Sequence, residues 1–250
     1  MRSMQVAKIL GVPFTTRGFE ETVTHLTARI AAGERTHVVT ANPEVVMVAR
    51  ANPRLRAILD QAYVVPDGIG IVYAARWLKY PLRERVTGIE LMTALMERAD
   101  AYGWRVYLLG AASEVVRKAA AELGRHYPHA QIVGWRDGYY RKEDEEAIAE
   151  EIAAKRPDLL FVALGAPRQD EWIHTYWDRL QVPLAMGVGG SFDVWAGAVK
   201  RAPQIWQKMH LEWLYRLLKQ PSRWRRQLAI PQFVAAVLWE KWTQRTESQG

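Results

Sequence analysis

Five times along this chain a short run of aliphatic and β-branched residues stops at a turn former and a helical pattern begins. The junctions are Thr40-Ala41-Asn42-Pro43-Glu44, Pro66-Asp67-Gly68-Ile69-Gly70, Leu109-Gly110-Ala111-Ala112-Ser113, Leu164-Gly165-Ala166-Pro167-Arg168-Gln169 and Gly187-Val188-Gly189-Gly190-Ser191. Strands that repeatedly feed helices do not turn back as hairpins. They lie parallel, and the helices that connect them cover the sheet.

The expected fold class is α/β: a Rossmann-like, mostly parallel sheet with helices on both faces, plus a C-terminal helical appendage. Strands are expected at Gln5–Leu10, His37–Ala41, Tyr63–Val65, Arg105–Leu109, Gln131–Trp135, Leu159–Leu164 and Leu184–Val188. Helices are expected at Phe19–Ala32, Pro43–Ala62, Ile69–Leu78, Ile89–Tyr102, Glu114–Tyr127, Lys142–Lys155 and Arg168–Arg179, with Ser113 as an N-cap. In such a sheet the five junctions gather at the carboxyl edge, where ligands bind. Helix N-termini there offer unpaired N–H groups to phosphate, which makes Gly110, Gly165, Gly189 and Gly190 candidate contacts.

The charge is unevenly distributed. The net charge is +7, yet residues from Lys200 onward hold ten Lys/Arg and three Asp/Glu, so the remainder is neutral. Five of the eleven tryptophans also lie in that tail. Residues 1–199 are therefore expected to form the Rossmann-like domain and 200–250 a basic, Trp-rich appendage. Basic residues with Trp suit a membrane interface, or single-stranded nucleic acid through stacking and charge. No run reaches about 18 apolar residues and no signal-peptide core opens the chain, so a cytoplasmic protein without a spanning helix is expected. With no cysteine, thiolate metal sites and cysteine nucleophiles are excluded.

The motif search is informative by elimination. There is no G-x-G-x-x-G after the first strand, no P-loop, no G-x-S-x-G elbow and no zinc spacing of histidines. No two aspartates stand two apart, so the D-x-D pair with which many nucleotide-sugar enzymes hold a divalent metal is missing. No metal and no cofactor are expected. What remains is a crevice with one well-placed carboxylate, Asp67, and many arginines. Asp67 is a turn residue or a general base. Thr40 and Asn42 are ligand contacts or helix caps, and Gln169 and Asp170 invite the same two readings.

Thr40-x-Asn42-x-Glu44, Pro66-Asp67-Gly68, Arg85-x-x-Gly88, Gly165-x-Pro167-Arg168-Gln169 and Gly189-Gly190-x-Phe192-Asp193-x-x-x-Gly197 follow one another in a known order. Arg201-Ala202-Pro203, Glu212-Trp213-x-x-Arg216-Leu217 and Pro221-x-Arg223-x-x-Arg226 complete the set. In this the chain resembles the WecG/TagA/CpsF family of bacterial glycosyltransferases (glycosyltransferase family 26), from about Gln5 to Arg226. The departures are Arg168 and Asp170, where Lys and Glu are usual, and His210, where glycine is common.

The resemblance implies inverting, metal-independent transfer of N-acetylmannosamine or a related sugar from a UDP-sugar to undecaprenyl-diphosphate-linked N-acetylglucosamine. The setting would be cell-wall teichoic acid or surface polysaccharide synthesis. It implies Asp67 as the base, with Thr40 and Asn42 beside it and Arg85 and Gln169 in the same pocket. Arg216, Arg223 and Arg226 would come from the appendage and close over the donor. The implied partners are the UDP-sugar, the polyprenyl-diphosphate acceptor and the membrane surface, with self-association left open. Transfer of another hexose or uronic acid is the neighbouring reading. A nucleic-acid-binding module is the distant one, since it leaves Asp67 and the strand-end motifs without a role. A deletion after Val199 is expected to leave a folded body with little activity.

Overall fold

The computed structural model describes residues 6–82, 84–199, 202–203, 206, 214–215 and 228–247, with side chains in the last stretch as far as residue 243. Eight strands form one sheet: β1 Val6–Ile9, β2 Val12–Thr15, β3 Thr36–Ala41, β4 Tyr63–Pro66, β5 Arg105–Gly110, β6 Gln131–Arg136, β7 Leu159–Ala163 and β8 Leu184–Gly187. Their spatial order is β1-β2-β4-β3-β8-β7-β5-β6. Among the described residues only the β1–β2 pair is antiparallel. The carboxyl ends of β4, β3, β8, β7 and β5 therefore stand side by side, and these are the five junctions read from the sequence.

Side chains alternate across the sheet, as the period of two requires. Val38, Val65, Leu108, Phe161 and Met186 face one layer, built by α1 (Phe19–Ala31), α5 (Gly88–Tyr102) and α6 (Ser113–His126). Val39 and Val64 face the opposite layer, where α2 (Pro43–Ala51), α3 (Pro53–Gln61) and α4 (Ile69–Trp77) pack. Tyr107, Leu109, Leu160 and Val162 meet the other half of that layer, α7 (Glu145–Ala154), α8 (Arg168–Thr175) and α9 (Trp177–Leu180). A fully buried Leu, Val or Phe is worth about 1.5–3 kcal/mol against exposure, so these two buried faces dominate stability.

Three local expectations are corrected. The opening strand is a hairpin: Leu10 (φ 46°) and Gly11 (φ 84°) both take positive φ, the backbone of a two-residue type I′ turn, and β2 returns to pair with β4. The single helix expected over Pro43–Ala62 is two. Pro53 has no N–H and disfavours helical backbone at Asn52, and the Asn52 side chain accepts from the Arg54 and Leu55 amides to cap the second. Ser113 is the first residue of α6 rather than its cap; Ala112 holds the cap position with no side-chain bond.

After α10 (Ser191–Trp195), the last described helix is α11, Ala229–Glu247. Pro231 lies in its first turn, where a missing N–H costs nothing. Phe233 and Val237, four residues apart on one face, are buried among Val46, Ile71 and Ala75 of α2 and α4. Glu240 accepts from the Leu10 amide at 3.0 Å. The end of the basic segment thus supplies core side chains. Leu238, Trp239 and Trp242 stay exposed, with the two indole rings 5.4 Å apart. Among the described residues no helix is long and apolar enough to cross a membrane.

Candidate active site at the carboxyl edge

The ends of β3 and β4 are tied together by the Asp67 amide, which donates to the Ala41 carbonyl at 2.9 Å. Twenty residues further along the chain, Val86 N–H donates to the Pro66 carbonyl at 2.8 Å. That bond brings the 84–87 segment, with half-buried Arg85, alongside the end of β4. It also delivers the start of α5. Thr87 caps this helix, accepting from the Glu90 amide at 3.4 Å and donating to its carboxylate at 2.6 Å. The Gly88 amide then points at Asp67 Oδ2 over 3.4 Å. The carboxylate sits at a helix N-terminus, where partial positive charge gathers.

Gly88 is buried, and a Cβ there would stand 3.3 Å from Thr40 Oγ1 and 3.6 Å from Asp67 Oδ2. Thr40, Asp67 and Gly88 are therefore one cluster. The Thr40 hydroxyl donates to the Gly187 carbonyl at 3.4 Å, which links the cluster to β8. Over Gly187 lies Gln169, whose Oε1 accepts from the Gly189 amide at 3.1 Å. Gln169 is buried, on the first turn of α8. Thr40, Asp67 and Gln169 thus converge from β3, β4 and α8 on neighbouring strand ends.

Asn42 does cap α2, its Oδ1 accepting from the Val45 amide at 3.0 Å, and it stands directly beside Gly68 at the cluster's rim. The glycines divide. Gly165 (φ 77°) and Gly189 (φ 51°) have open space where a Cβ would go, and Gly190 is exposed. Gly110 is buried against β7, where a Cβ would meet the Ala163 carbonyl at 2.5 Å; its position serves strand packing. Arg168 lays its guanidinium 5.1 Å above the Tyr140 ring, beside Gly138 at the β5 end of the edge. Burial pushes the Tyr140 hydroxyl pKa well up, against the opposing charge of Arg168. Arg216, Arg223 and Arg226 lie outside the described residues.

Two contributors escaped the sequence reading. Gly187 carries no turn signal beyond ending a strand, yet only a residue without a side chain fits beneath Gln169. His37, at the start of β3, reaches buried Asp170 of α8 at 3.6 Å. His37 also lines a cavity of about 210 Å³ at the amino edge, with His25, Arg29, Arg35, His174 and Trp177. That cavity lies at the opposite edge from the Thr40–Asp67–Gly88 cluster.

The profile of the Glycosyl transferase WecG/TagA/CpsF family matches residues 7–247. An N-acetylglucosaminyldiphosphoundecaprenol N-acetyl-beta-D-mannosaminyltransferase of Bacillus spizizenii is 42% identical over 237 residues, 94% of this chain and 91% of the relative. The protein of the same description from Bacillus subtilis is 34% identical over 245 residues, 97% and 95% of the two chains. One from Staphylococcus aureus is 39% identical over 229 residues, 90% and 89%. With its profile match spanning the sheet, the strand-end cluster and α11, this chain belongs to the WecG/TagA/CpsF family of glycosyl transferases.

Proposed function

We propose that the chain transfers N-acetylmannosamine, or a closely related sugar, from a UDP-sugar to undecaprenyl-diphosphate-linked N-acetylglucosamine, inverting the anomeric carbon. The observation that carries this reading is the convergence of Thr40, Asp67 and Gln169 on adjoining strand ends in a chain aligned almost end to end with transferases of that description. Asp67 takes the proton of the attacking acceptor hydroxyl as the new bond to C1 forms. The bond from C1 to the β-phosphate oxygen breaks, and UDP leaves with its electron pair. A positioned base is worth about 10²–10⁴-fold in rate.

Charge on the departing diphosphate needs a counterpart. Guanidinium groups supply one, because they pair bidentately with phosphate and stay ionised. In this proposal Arg216, Arg223 and Arg226 perform that role and Arg85 assists from the pocket wall. Asn42, Gly165, Gly189 and Gly190 line the donor subsite. Closure of the basic segment over the donor excludes water, the competing acceptor.

The membrane part of the proposal rests on α11 and on charge. Trp239 and Trp242 are 66% and 58% exposed on the face turned away from the core. A Trp pair on a segment with a net charge of +7 suits an anionic leaflet, where each basic residue adds about 1 kcal/mol. In this proposal the enzyme works where a lipid-linked acceptor resides.

The test is turnover by the purified protein with UDP-N-acetylmannosamine and a short-lipid diphosphate N-acetylglucosamine. The expected result is a lipid-linked disaccharide and UDP in equal amounts. If neither transfer nor donor hydrolysis occurs with this or related UDP-sugars, the reading is wrong.

A further inference from the structure

Asp170 is the third residue of α8, and its side chain is 1% exposed. Neither carboxylate oxygen has a hydrogen-bond partner among the described residues. His37 Nε2 lies 3.6 Å away and is itself buried without a hydrogen-bond partner among the described residues. Burying a carboxylate without a hydrogen-bond partner is costly. Packing alone does not account for an acid here, since an apolar residue of similar volume would fill the space at less cost.

The neighbouring residue accounts for it. Gln169 and Asp170 straddle Gly187: a Cβ there would lie 2.8 Å from Gln169 Cδ and 2.9 Å from Asp170 Oδ1. Gln169 reaches forward to the Gly189 amide, and Asp170 reaches back to His37. His37 stands three residues before Thr40 on the same strand. We propose that Asp170 and His37 are a positioning pair, clamping the first turn of α8 across β8 onto β3 so that Gln169 is held beside Thr40 and Asp67. Without the clamp, α8 can rotate about its axis and Gln169 leaves Gly189. The clamp itself is independent of the transferase reading; its effect on turnover rests on that reading.

The test is amide hydrogen exchange at Gly189, followed by NMR on the full chain. Gln169→Ala removes the acceptor, and exchange at Gly189 is expected to rise at least tenfold. Asp170→Ala and His37→Ala are expected to raise it by the same factor, and adding either to Gln169→Ala is expected to raise it no further. Such non-additivity is what a residue acting through another produces. Asp170→Asn and His37→Gln, which nearly preserve volume, serve the same comparison if the alanine variants do not fold. Wild-type exchange at Gly189 in the Asp170 and His37 variants overturns the proposal. So does an unchanged rate in Gln169→Ala, because the bond to be held would then be absent. An inactive wild-type protein with the expected exchange pattern sinks the transferase reading and leaves the positioning pair intact.

Discussion

The Gly88 amide faces the Asp67 carboxylate across 3.4 Å, although the two residues come from different strand–helix units. Asp67→Asn keeps the volume and an oxygen for the Gly88 amide, and removes the base. A fall in kcat of about 10²–10⁴-fold is expected, with an unchanged thermal midpoint. Near-normal turnover would take Asp67 out of the mechanism.

Gly187 is the point on which α8 rests. A methyl group there collides with Gln169 and Asp170, both of which are packed in place. Overpacking of this kind costs about 1–3 kcal/mol. Gly187→Ala is therefore expected to lower the urea midpoint and to reduce turnover together, whereas Gly165→Ala, where the space is open, is expected to affect folding only through its positive φ. Equal stability of Gly187→Ala and wild type would contradict the packing.

The two sides of α11 are expected to respond differently. Phe233→Ala removes a ring that is 2% exposed and is expected to cost about 3–5 kcal/mol. Trp239→Ser and Trp242→Ser alter exposed positions, with stability expected to stay within about 0.5 kcal/mol. Their effect is expected in co-sedimentation with anionic vesicles, where binding falls. A deletion after Val199 removes Phe233 and Val237 from the core, so the expected outcome is a lower melting temperature as well as lost activity. Vesicle binding by the double Trp variant equal to wild type would remove α11 from the membrane contact.

Two histidines at the amino edge set a pH dependence. Burial, then the charges of Arg17 and Arg29, hold the His25 pKa below its ordinary 6.5. Burial, then His37 and Arg54, do the same for His174. Below pH 6.5 the unfolded chain binds protons that the native state refuses, so stability falls as pH falls from 6.5 toward the depressed values. Urea unfolding of the wild type at two pH values across that window is expected to show a larger drop than that of His25→Asn/His174→Asn. Equal drops would show that neither group is responsible.

Much of the architecture was legible because its signals act over a few residues. Pro43, Gly68, Gly165 and Asn42 punctuate strand ends through their own backbone limits. Five such ends in series imply a parallel sheet and bring Thr40, Asp67 and Gln169 to one edge. The break at Asn52-Pro53 was equally local, but the apolar periodicity running through it hid the second cap. The Leu10-Gly11 turn was hidden in the same way, since Leu does not announce positive φ.

Other features belong to the tertiary structure alone. The order β3-β8-β7 puts Gly187 under Gln169 and Asp170 against His37, residues separated by 133 positions in the chain. Nothing near His37 in sequence marks it. Likewise, Phe233 and Val237 read as part of a surface appendage until α2 and α4 are seen to present the groove that buries them. Short-range sterics determined which strand ends meet at the crevice; long-range packing decided which side chains hold it in shape.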